Sequence, residues 1–262
     1  AGAVLAMLLV AGLPLLVLVW NAFMPYPQAP TLASLERLTV QNFWAAIEYG
    51  PAVRAVVNSL WLGFAAGAIT TLLGGLIAWM TLRLQRPRFL LAALDQLATA
   101  PIAMPGMIVG VSLLSLYLIV PLPIYGTSAL LLIAYVTLHL PYAVRLLAAG
   151  ITQLHRELEE AGRVAGASWN MIVRRIFILL LAPSLLASVL YVGLRAFREY
   201  AASIFLVAPG TPVFSVLVLD MWDTGSFNKL AAYVTMVIAI LAVVVGLFSW
   251  LSRRAGTPVR MT

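Results

Sequence analysis

Long uncharged runs constrain this chain more than any other feature. Between Arg54 and Arg83 lie 28 consecutive residues without Asp, Glu, Lys or Arg. At about 1.5 Å per helical residue they reach roughly 42 Å, enough to cross a bilayer. Between Asp95 and Arg145 there are 49 such residues, which fit only as two crossings joined by a turn. With 10% of its 262 residues charged and 63% apolar, the chain is no water-soluble globule, for which about 25% charge is usual. Cysteine is absent, and the only histidines are His139 and His155, so disulfides, thiolate sites and histidine-rich metal cages are excluded. No catalytic residue and no metal site is expected.

Turn residues and charges bound six apolar spans, at about 3–24, 56–82, 91–120, 128–147, 176–194 and 230–251. The expected fold is an all-α membrane protein of six transmembrane helices, with residues 1–262 as one transmembrane domain. Pro121, Pro123 and Gly126 break the apolar tract between the third and fourth spans, where a short turn is required. Pro101, Pro105 and Gly106 fall inside the third span and are expected to kink or unwind it, as a packing kink or as a gate. The sequence begins Ala-Gly-Ala and enters an apolar run at once, which reads as a segment of a longer polypeptide and not as a signal peptide.

The net charge of +7 would suggest nucleic acid in a soluble protein, but here it reports topology. One set of alternate connections carries Arg83, Arg86, Arg88, Arg145, Arg156, Arg163, Arg174, Arg175, Arg253, Arg254 and Arg260, which is 11 of the 16 bases. The other carries Arg37, Arg54, Arg195, Arg198 and Lys229. By the positive-inside rule the richer side is cytoplasmic, which puts both termini and the connection 148–175 on the cytoplasmic side of the membrane. No nucleic-acid partner is expected, whereas lipid is. On the other side, Asn42, Phe43, Trp44 and Tyr49 suit an interfacial belt, and Asp220 and Asp223 are either partner contacts or solvated charges.

The connection 148–175 is too long for a turn and rich in small residues. Glu157, Glu159 and Glu160 open it, and Arg174 and Arg175 close it, the order that suits a helix macrodipole. Ala161, Ala165 and Gly166 sit at helical spacing and form a small, flat face, with Gly166 ending one short helix and a second starting near Ser168. A face of this kind suits docking into another protein's groove. A helix lying on the membrane surface would need bulkier apolar residues.

Glu160-Ala161-Gly162, with Gly166 six residues after the Glu and Ile176 ten residues after that Gly, resembles the EAA loop of inner-membrane permease subunits of binding-protein-dependent ABC importers, the MetI-like superfamily. Gly162 replaces the usual second Ala, and Leu179 stands where Pro is common. Asn58-Ser59-Leu60, Pro101 to Gly106, Leu140 to Arg145 and Arg198 to Ser203 are most similar to the ferric-iron subfamily, whose permeases are often two fused six-span halves, and this chain resembles the second. The resemblance implies the type I importer permease fold. It also implies a cytoplasmic ABC ATPase dimer gripping Glu159, Glu160, Ala161, Gly162, Ala165 and Gly166, a second permease half, and an extracytoplasmic substrate-binding protein. ATP and Mg would then be bound by the ATPase. This chain needs no cofactor, and its only lysine, Lys229, follows Asn228 and not the glycine of a P-loop.

Tyr142, Tyr191, Arg195, Arg198, Glu199 and Ser203 are the candidate substrate-pathway residues. Tyr117, Tyr135, Tyr142 and Tyr191 offer phenol oxygens suited to ferric iron, or are belt residues. Arg195, Arg198 and Glu199 are a gate, or snorkelling charges with an internal ion pair. His139 has no carboxylate at ligand spacing along the sequence and reads as a satisfied core histidine. An intramembrane enzyme or an ion-coupled carrier would need acids at depth. The nine carboxylates instead lie in loops or near span ends. Ferric iron is the expected cargo, with polyamine, thiamine, phosphonate and sulfate as rivals.

Overall fold

The computed structural model describes residues 2–84, 87–120 and 124–254, and within them there is helix and no strand. In chain order the helices are α1 (Gly2–Ala22), α2 (Leu32–Leu35), α3 (Gln41–Ile47), α4 (Ala52–Arg83), α5 (Arg88–Thr99), α6 (Gly106–Ile119) and α7 (Ser128–Thr152). They continue with α8 (Glu157–Val164), α9 (Trp169–Ile172), α10 (Ile178–Phe197), α11 (Ser203–Leu206), α12 (Phe214–Asp223) and α13 (Phe227–Arg254). Among the described residues, four helical runs are long and apolar enough to cross a bilayer: α4, α7, Trp169–Phe197 and α13. A fifth span exists if α5 and α6, bent by 106°, are taken together, and Gly12–Ala22 of α1 is apolar but shorter. The turn at Pro121 and Pro123, and the bases Arg86 and Arg260, lie outside the described residues.

The break expected in the third span is present, and two helices run past the ends of the expected apolar spans. Pro105 holds Met104 extended (φ −95, ψ 123) and serves as N-cap of α6, after a 3-10 turn over Ala100–Ala103, because a residue before proline is driven out of the helical region. The fourth span continues past Leu147 to Thr152. Arg145 ends the apolar run without ending the helix, because its guanidinium stays outside the core on Asp95 at 3.1 Å. The fifth helical run starts at Trp169, not Ile176. The Ser168 side chain caps α9 by accepting from the Met171 N–H, and a π-turn over Val173–Phe177 carries the chain straight into α10.

The chain forms two compact units, one from Ala1–Val57 with Pro212–Phe248 and one built mainly on Asn58–Thr211. In the first, the end of α1 is tied by two asparagines. Asn42 Nδ2 donates to the carbonyls of Ala22 (2.9 Å) and Met24 (2.7 Å), and Asn228 Nδ2 to those of Asn21 and Met24 (both 2.8 Å). They supply the donors that a terminating helix lacks. Tyr49 donates to Asp220 at 2.7 Å, a bond that raises the phenol's pKa. Asp220 is therefore bonded within the unit, while Asp223 is exposed.

In the second unit, α4 and α10 approach until backbones touch. A Cβ built on Gly63 would lie 2.7 Å from the Gly193 carbonyl oxygen, and one on Gly67 would lie 2.5 Å from that of Val189. One turn further along the same face, the Thr71 and Ser188 hydroxyls meet at 2.8 Å. Small residues every four positions allow such contact where lipid gives helices no hydrophobic reason to associate. At the end richest in bases, Ala78, Leu147, Ile151, Ile172, Phe177 and Leu181 form a buried cluster joining α4, α7, α9 and α10.

Candidate functional site

Two constellations in the second unit are chemically distinctive, one at each end of the packed pair α7 and α10. The first centres on α8. Its first turn holds Glu157, Glu159 and Glu160 and its last turn Arg163, complementing the macrodipole, and none of its residues is buried. Gly166 has φ +77. Its N–H bonds to the Arg163 carbonyl, and the Ala167 N–H bonds to that of Gly162, both at 3.0 Å. This Schellman arrangement uses the left-handed geometry that a Cβ disfavours.

α8 has two faces. Glu160, Ala161, Val164 and Ala165 are exposed, and Val164, which sequence reasoning missed, has 90% of its surface free. Gly162 faces inward, where a Cβ would come within 3.2 Å of Ile172 Cγ1, so the absence of a side chain lets α8 lie against α9. Glu159 also faces inward and pairs with Arg83 Nε at 3.1 Å, the two side chains being 13% and 8% exposed. Arg83 Nη2 donates further to the carbonyls of Ile151 (3.1 Å) and Leu154 (2.5 Å), at the end of α7. In return, Arg156 Nη2 donates to the Leu82 carbonyl at 2.9 Å, near the end of α4. Two arginines thus cap two helix C-termini crosswise, where unpaired carbonyls and the negative end of the dipole favour a cation. In the sequence these arginines were legible only as members of a charge tally, since their partners lie about 70 residues away.

The second constellation gathers around Glu199, just past α10. Its Oε1 accepts from the Ala202 N–H at 3.2 Å, and a Cβ on Gly106 would lie 3.0 Å from that oxygen. The carboxylate therefore sits at the N-terminus of α6, the positive end that the Pro105 break creates. Its Oε2 lies 3.9 Å from His139 Nε2. His139 is 3% exposed, and neither of its ring nitrogens has a hydrogen-bond partner. The expected satisfied core histidine is corrected: a carboxylate does face it, brought from another element by folding, while its polar atoms stay unpaired. Arg195 lies with its guanidinium carbon 4.3 Å from the Tyr142 ring centroid and 5.7 Å from that of Tyr191. Ser203 Oγ donates to the Glu199 carbonyl, so the 2.8 Å contact with Tyr135 has the phenol as donor.

Of the six pathway candidates, the fold brings Tyr142, Tyr191 and Arg195 together and joins Glu199 to Ser203. Arg198 is exposed. Tyr135 and His139 enter the cluster as additions. Among the described residues no group of three or more His, Cys, Asp or Glu side chains is placed to hold a metal ion.

The sequence profile of the family described as "Binding-protein-dependent transport system inner membrane component" matches residues 70–257. The ferric transport system permease protein FbpB of Actinobacillus pleuropneumoniae is 28% identical over 199 residues, covering 75% of this chain and only 28% of that relative's length. The sulfate transport system permease protein CysT of Salmonella typhimurium is 24% identical over 246 residues, 89% of this chain and 88% of that protein. Among solved structures, a bacterial ABC transporter involved in import of the acidic polysaccharide alginate aligns with TM-score 0.76 at 16% identity, covering 97% of this chain and 93% of that one. This last likeness is one of fold.

Proposed function

The chain belongs to the binding-protein-dependent transport system inner membrane components, and on that premise we propose that it is a permease half whose cargo crosses when a separate ATPase dimer moves α8. The exposed strip of Ala161, Val164 and Ala165 is the surface the ATPase grips. ATP and Mg bind in that partner, and the basic end of the chain, with both termini, lies on the ATPase side. A second permease half completes the pathway, and an external binding protein delivers the cargo.

The observation that carries this reading is the crosswise clasp. Arg83 and Arg156 connect α8 to the ends of α4 and α7 through charge-assisted bonds, so displacement of α8 pulls on both spans instead of bending a loop. At the other end, the start of α6 lies against Glu199, just past α10, and a shift of α7 against α10 alters the distances among His139, Glu199 and Arg195. On this reading the cluster is a gate that opens when packed helices slide. The test is to reconstitute the complete complex with Arg83→Ala or Glu159→Gln. Uptake should fall while the ATPase ceases to respond to loaded binding protein, and unchanged coupling in both variants would sink the proposal.

Ferric iron is the proposed cargo, supported by the ferric relative and by the run Arg198 to Ser203. Sulfate is the second reading, because the sulfate relative aligns over nearly its whole length. Uptake of radioactive ferric iron and of radioactive sulfate, measured side by side in cells expressing the chain with its assembly, separates the two.

A further inference from the structure

A groove of about 500 Å³ runs along the second unit between α4, α7 and the run from Trp169 into α10. Its wall extends from Thr71 to Trp79 on α4, nine residues or about 12 Å of helix, close to the roughly 15 Å of hydrocarbon in one leaflet. Only Thr71 and the two tryptophans contribute polar side-chain atoms to the wall, and the Thr71 hydroxyl is engaged with Ser188. Beyond the tryptophans the wall is aliphatic apart from Thr71 and Phe177, from Leu72 to Leu185. At the basic end, Trp79 and Trp169 meet with ring centroids 5.3 Å apart, and the Arg163 guanidinium lies over the Trp169 ring at 5.8 Å. Arg174 and Arg175 are exposed on the adjacent π-turn. Glu159, the nearby acid that faces inward, is neutralised by Arg83. The Nε1–H of Trp79 is buried without a hydrogen-bond partner.

We propose that this groove holds an acyl chain of an anionic phospholipid from the leaflet at the basic end, with its phosphate beside Arg163. Three properties select that occupant. The groove is nearly as deep as a leaflet and almost wholly apolar, which suits a hydrocarbon chain. Its mouth is basic, and basic pockets between spans attract acidic headgroups. Trp79 and Trp169 stand together at that mouth, the usual place of tryptophan in a membrane. Because Trp169 and Val173 form one wall, the bound lipid also braces the segment that carries α8. The inference depends on neither the cargo nor the ATPase.

The test uses the full chain in phosphatidylcholine vesicles doped with brominated phosphatidylglycerol or, at equal mole fraction, brominated phosphatidylcholine. Subtracting the emission of a Trp79→Phe, Trp169→Phe double variant isolates the two tryptophans of the groove. Brominated phosphatidylglycerol should quench this signal at a several-fold lower mole fraction, and Arg163→Gln should reduce that preference by roughly fivefold. Gly75→Phe should protect against both lipids by filling the groove, since a Cβ there meets only Leu147 Cδ1 at 3.4 Å. Equal quenching by the two lipids would reduce the groove to ordinary lipid contact and overturn the proposal. Absence of quenching by either would show a protein segment seated there and would overturn it equally. Native mass spectrometry of the unsubstituted chain gives an independent check: phosphatidylglycerol retained in preference to phosphatidylcholine supports the site, and no such preference refutes it.

Discussion

The two constellations of the second unit differ in how their polar groups are engaged. At the α8 end, Arg83 donates to two carbonyls and forms an ion pair with the Glu159 carboxylate, the facing Nε and Oε1 making no hydrogen bond, and Arg156 closes the reverse bond. Around Glu199, His139 is as deeply buried, and neither of its nitrogens has a hydrogen-bond partner. An ion pair backed by charge-assisted bonds holds one geometry firmly, whereas a polar group with no hydrogen bond in low dielectric raises the energy of the state that contains it. The first arrangement suits a rigid connection that transmits displacement. The second suits a place where a different arrangement, or a passing cargo, supplies what is missing.

Breaking the clasp tests the contrast most severely. Arg83→Ala takes the ion pair from the largely covered Glu159 and the donors from two carbonyls, a loss of about 1.5–3 kcal/mol. The thermal midpoint of the purified chain should fall sharply, and uptake should fail with it. The opposite sign is expected at the other end. His139→Leu removes an unsatisfied polar group, which should stabilise the chain by up to about 1–3 kcal/mol while slowing transport. If the midpoint drops instead, the histidine is matched in the resting state and the contrast disappears. Gly166→Ala places a Cβ on a left-handed residue at a cost of about 1–2 kcal/mol. Gly166→Arg adds bulk beside the exposed strip and should abolish ATPase stimulation by loaded binding protein while the spans still insert. Smallest of all is Tyr142→Phe, which keeps the ring under Arg195 and loses only a 3.3 Å hydroxyl contact. Uptake and stability should both stay within a factor of about two, because a long hydrogen bond contributes well under 1 kcal/mol.

Some of this was legible in the sequence because it is local. The uncharged run before Arg83 forecast α4 to within a few residues. Pro105 and Gly106 announced the break in the third span, and Gly166 the end of α8, because proline and positive-φ glycine act on their immediate neighbours. Helix ends were read less well. Arg145 and Ile176 mark where hydrophobicity changes, and a helix continues through such a change when its backbone bonds are satisfied. Val164 was missed because an apolar residue in a charged octet looks like a core contact until its exposure is known.

The amino-acid order alone therefore determined the solvent this chain lives in, the rough positions of α4, α7, α10 and α13, and the small-residue helix between α7 and α10. Tertiary structure alone decided which face of that helix is free, that Arg83 of one span binds Glu159 and the end of another, and that Glu199 meets His139 at the start of a half-helix. The reason is physical. Transfer from water to lipid and backbone preference depend on a residue and its near neighbours, whereas pairing between side chains 60 or 70 positions apart exists only after glycines such as Gly63 and Gly67 have let the helices close.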